Sequence, residues 1–119
     1  MSKVGFVYVF RHPEFPNRFK VGQTSDRDER LSQLNSETTL VGKHIDEGSW
    51  LVEDCAGAEL AAHEALRKFR VVPNREYFDC SLLEIHDLVG TVVKRFGLLK
   101  TEGFGRVEPD EDICFLLDL

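Results

Sequence analysis

The chain has 119 residues, with 15 Lys and Arg against 21 Asp and Glu, a formal net charge of −6. That length supports one domain with its own core, and 42% apolar against 30% charged residues excludes a wholly disordered chain. No run approaches the roughly 18 apolar residues of a membrane span, and no apolar signal segment opens the chain, so the expected setting is cytoplasmic with no membrane partner.

Val4–Phe10 is a short, almost wholly apolar run rich in β-branched and aromatic residues, which predicts a buried first strand. Period-two alternation puts Val4, Phe6, Tyr8 and Phe10 on one face. His12-Pro13 and Pro16-Asn17 break the run, and Phe19–Gly22 reads as a second strand closing an antiparallel hairpin. Ser25 is the expected cap of a first helix, with Asp26 and Asp28 in its first turn and Asn35-Ser36 at its end. Ser49–Glu53 reads as a third strand. Asp54 caps an alanine-rich helix over about 55–70, whose small residues allow close packing on a sheet. Pro73-Asn74 ends it, and Tyr77-Phe78 is a short extended piece. Ser81 and Glu84 form a capping box opening a third helix, which Gly97 closes. The predicted order is β-β-α-β-α-α. It describes a small α+β domain with a three-stranded antiparallel sheet over residues 1–100 and an acidic extension over 101–119.

The charge is uneven. Residues 1–44 hold seven basic and five acidic groups, whereas 101–119 hold one and six. The surplus of acid therefore lies mostly in the extension, and it does not exclude a phosphate-binding surface in the domain. Ile113–Leu117 is apolar enough to pack back on the domain or at an interface with a second copy or a protein partner. Cys55, Cys80 and Cys114 are widely spaced and odd in number, which predicts three reduced thiols.

Several polar residues stand where chemistry could use them. Lys20 sits between Phe19 and Val21 inside a strand. Gly22 carries the chain from strand to helix, where a glycine permits a close approach. Arg27 and Arg30, three apart on the first helix, are neighbours able to grip a phosphate. Glu59 and His63, four apart, share a helix face, and a carboxylate there suits a hard divalent ion better than zinc. Glu76 adds a carboxylate beside two aromatics. His12, His44 and His86 have no spacing partner.

The order of these residues resembles the GIY-YIG nuclease superfamily, closest to the phage-related branch first seen as an open reading frame of phage T5. Phe6-Val7-Tyr8 stands at the first motif, and Lys20-Val21-Gly22 matches that branch's Lys-x-Gly second motif. Arg30 has the family's spacing from it. Glu59-x-x-x-His63 and Arg75-Glu76-Tyr77-Phe78 are similar to the remaining two signatures. The resemblance implies an endonuclease that hydrolyses phosphodiester bonds of nucleic acid, DNA in particular, with one Mg2+ or Mn2+ ion. It implies catalytic roles for Tyr8 on the attacking water, for Arg30 on the scissile phosphate and for Lys20 in place of a second tyrosine. Glu59 becomes the metal ligand, and Gly22, Arg27, His63 and Glu76 line the substrate. The alternative is a catalytically inactive module of the same fold that binds nucleic acid or protein.

Overall fold

The computed structural model describes residues 3–37, 41–73 and 75–102. Its sheet runs β1 (Gly5–Arg11), β2 (Arg18–Thr24), β3 (Ile45–Val52), β4 (Tyr77–Asp79) and β5 (Leu98–Glu102). The spatial order is β4-β2-β1-β3-β5, and every neighbouring pair is antiparallel. Three helices accompany it: α1 (Arg27–Glu37), α2 (Cys55–Ala65) and α3 (Leu82–Val93).

The expectation of a three-stranded sheet is corrected to five strands. β4 has only three residues, too few to show an alternation, and it forms by pairing Tyr77, Phe78 and Asp79 with Lys20, Phe19 and Arg18. β5 has little β-branched character, and its pairing with β3 rather than its composition makes it a strand. It runs through position 100, where patterning drew the end of the domain. The third strand begins at Ile45, earlier than its apolar segment suggests. A bulge opposite Val9 and Phe10 absorbs Glu47 as an extra residue.

Helix starts follow local chemistry. Asp26, not Ser25, caps α1: its Oδ1 accepts the Glu29 N–H at 3.1 Å. Asp54 caps α2 by accepting the Gly57 N–H, and Ser81 with Glu84 forms the reciprocal capping box of α3. α2 stops at Ala65, and a 3-10 turn over Arg67–Phe69 occupies the rest of its expected span.

Alternation splits the sheet into two differently covered faces. Val7, Val9, Val21, Trp50 and Phe78 pack against Ala58 and Ala62 of α2 and Ile85 and Val89 of α3. The opposite face carries Tyr8 and Phe10 under Leu31 and Leu34 of α1. This second cluster is small, so α1 covers only part of that face. Cys55 and Cys80 are free thiols, and burial pushes the Cys80 thiol up to about 11. Cys114 and Ile113–Leu117 lie outside the described residues. Among the described residues no helix is long and apolar enough to cross a membrane.

Candidate active site

The middle of the β1–β2 hairpin brings Tyr8 directly opposite Gly22. The Tyr8 ring is buried and stacks on Phe10 with centroids 4.1 Å apart. A Cβ added to Gly22 would lie 2.4 Å from the Tyr8 hydroxyl oxygen and 2.6 Å from Cζ. Gly22 is therefore glycine for space: its missing side chain is where the phenol lies. The same added Cβ would lie 3.1 Å from Oε1 of Glu76, so phenol and carboxylate converge over one bare stretch of backbone.

Two cations close on this point. Arg30, one turn into α1, donates from Nε to the Tyr8 oxygen at 3.3 Å. Lys20 lies two residues before Gly22 on the same strand face. Its Nζ donates to Glu76 Oε1 at 3.0 Å and stands 5.0 Å from the Tyr77 ring centroid. Glu76 is held by the chain itself, since its carbonyl accepts the Val21 N–H at 2.9 Å just before β4 begins.

Glu59 and His63 reach the site from the other face of the sheet. β4 pairs with β2 only as far as Lys20, which leaves the β2 edge open beyond it. His63 of α2 uses that opening, donating from Nε2 to the Val21 carbonyl at 2.8 Å. Glu59, one turn earlier, has its carboxylate 3.9 Å from the same ring nitrogen, with a side chain only 16% exposed.

The electrostatics connect these groups. Burial pushes the Tyr8 phenol above its ordinary value, against the pull of Arg30 and Lys20. Burial is also the main cause of the raised Glu59 carboxyl. The negative charge of Glu76 adds to it, while His63 and Lys20 oppose it. The Glu59 and Glu76 carboxylates are thus near enough to repel each other.

Of the residues singled out from the sequence, Tyr8, Lys20, Gly22, Arg30, Glu59, His63 and Glu76 come together. Arg27 does not join them. It turns toward the β3–β5 side of the sheet, where Asp46 and Glu102 both accept from its guanidinium. Asp46, raised by burial, also takes the Ser49 hydroxyl and the Gly48 N–H. Sequence patterning gave no sign of this acid pair because its members are 56 residues apart and lie on two strands. It also left out Phe10 and Tyr77, although period two already put Phe10 on the Tyr8 face.

A family model for the T5orf172 domain matches residues 5–95, and the chain belongs to that family, whose domain occurs in a phage T5 open reading frame and in nuclease-like proteins. Neither the comparison with curated proteins nor that with solved structures gives a match. The family points to nucleic acid as the class of partner.

Proposed function

We propose that this domain is a divalent-metal-dependent endonuclease of the GIY-YIG type that hydrolyses phosphodiester bonds of DNA. The observation that supports it most is the convergence of Tyr8, Arg30, Lys20 and Glu76 beside Gly22, with the Glu59 carboxylate in electrostatic reach of Glu76 and Lys20.

In hydrolysis a water oxygen bonds to phosphorus, the bond to one bridging oxygen breaks, and charge grows on the non-bridging and leaving oxygens. Arg30 meets the non-bridging charge with a fixed guanidinium. Its Nε already donates to the Tyr8 oxygen, so the phenol keeps its own proton free to donate. Because burial disfavours the phenolate, Tyr8 acts as a hydrogen-bond donor that orients the water or a phosphate oxygen. Glu76, ion-paired with Lys20, receives the proton that the water gives up. Protonation of Glu76 then frees the Lys20 ammonium to meet the negative charge on the phosphate oxygens.

The donor set suits magnesium or manganese. Such an ion keeps most of its waters and takes one or two carboxylates plus substrate phosphate. Among the described residues no cluster of three His, Cys, Asp or Glu donors exists, which argues against caged zinc and fits one carboxylate, Glu59. When bound, the ion supplies Lewis-acid polarisation of a phosphoryl oxygen and an acidified water.

Incubating the protein with supercoiled plasmid and Mg2+ or Mn2+ tests the proposal. Nicking by wild type, abolished by chelator and cut at least about 100-fold by Glu59→Gln, is expected. DNA binding without nicking in either metal would assign the domain to the inactive binding class instead.

A further inference from the structure

Beside the catalytic cleft, and sharing Lys20 with it, lies a cavity of about 600 Å³ on the same face of the sheet. That volume falls within the range of small-ligand sites and exceeds what the cleft itself requires. Phe15 and Tyr77 contribute accessible aromatic walls, Phe10 is a fully buried member of the lining, Arg18, Lys20 and Arg75 contribute cationic side chains, and Glu37 contributes one carboxylate. The aromatic walls are not needed to hold a phosphate or a metal ion.

We infer that this cavity receives an unpaired nucleobase next to the scissile phosphate, so that the enzyme favours single-stranded or locally opened DNA. This rests on the nuclease proposal for its location. Three features carry it. The Tyr8–Phe10 stack runs from the catalytic point into the cavity wall, so a nucleotide adjoining the bound phosphate has this cavity beside it. Aromatic surfaces bind bases through their π faces with little sequence preference, whereas a phosphate site alone has no use for them. The cations outnumber the acid on the lining, which suits a base that brings its own phosphates, and Glu37 can accept from an exocyclic amine. A base inside a duplex keeps neighbours on both faces, so only an unpaired or extruded one can enter such walls. Phe15 is the wall best suited to a test. It lies in the connection between β1 and β2, is 39% exposed, and is braced by the Arg18 guanidinium 5.5 Å from its centroid.

The experiment measures binding, so that it stands apart from cleavage. The full chain carrying Glu59→Gln is titrated onto two fluorescent strands of equal length, oligothymidylate and a fully abasic deoxyribose-phosphate chain. Phe15→Ala is then added to the same protein. The base-bearing strand should bind about 5- to 100-fold more tightly than the abasic one. Phe15→Ala should remove most of that difference by weakening the thymidylate alone, while Phe15→Tyr retains it. Equal affinity for the two strands, equal weakening of both by Phe15→Ala, or no binding of either strand would overturn the proposal. Nicking of plasmid by wild type would still stand in any of those cases.

Discussion

At the residue scale the site depends on an absence at position 22. Gly22 is not held in a left-handed conformation, and what a side chain there would meet is the buried phenol of Tyr8. The ring cannot retreat, because Phe10 stacks on it and almost none of it is exposed. Gly22→Ala should therefore displace the hydroxyl from Arg30. It should lower stability by about 1–3 kcal/mol, the usual cost of overpacking, and cut cleavage by more than that loss of stability explains. Thermal melts and rates measured on the same preparation separate the two effects. Glu59 carries the opposite trade. Its carboxyl is raised above the ordinary 4.5, first by burial and then by Glu76, so the charged form costs the folded state stability. That cost is present above the raised folded value and disappears as pH falls through it toward 4.5. Glu59→Gln should accordingly raise Tm at neutral pH while losing activity, and the gain should vanish near pH 4. Melting curves at the two pH values check the sign.

At the scale of elements, the length of β4 decides how the two faces of the sheet communicate. Had β4 paired with β2 beyond Lys20, the Val21 carbonyl would have been taken by the ladder, and His63 would have had nothing to hold. Ending at three residues, β4 leaves the Val21 carbonyl at the sheet edge to His63 of α2, with the Glu59 carboxylate beside it. His63→Ala should leave that edge carbonyl without its donor and cost about 1 kcal/mol, with a larger loss of rate because Glu59 loses its neighbour. Partial rescue of both by His63→Gln, whose amide nitrogen takes the place of Nε2, assayed by denaturant melts and single-turnover cleavage, identifies the hydrogen bond as the cause. The same element shows where sequence patterning stops. The hairpin and the two capped helices were legible because alternation and caps are local. β4 and β5 were not, because each becomes a strand only through a partner far away in the chain.

For the whole molecule, the legible part of the site was an ordered set of residue types, and what was hidden was their depth and side. Glu59 and His63 share a helix face, which spacing gives directly, whereas Tyr8 and Lys20 share a face only through the hairpin register that sets Tyr8 opposite Gly22. That α2 packs on one face and serves the other through an edge follows from the five-strand order, which no local signal encodes. Arg27 illustrates the converse. Its position on α1 beside Arg30 suggests a second phosphate grip, yet Asp46 and Glu102 claim its guanidinium. The net charge of −6 arises mostly from residues 101–119, so it does not weigh against a phosphate site in the domain.

The proposal requires that Arg30 of α1 and Glu59 of α2 act on one phosphodiester. Single-turnover cleavage of a labelled DNA strand in Mg2+ by wild type, Arg30→Ala, Glu59→Gln and the double variant tests it most directly. Residues that act as a unit are strongly non-additive, so each single change should cost about 100-fold or more and the double change little beyond the worse of them. Wild-type rates in either single variant, or losses that multiply as for independent sites, would contradict it.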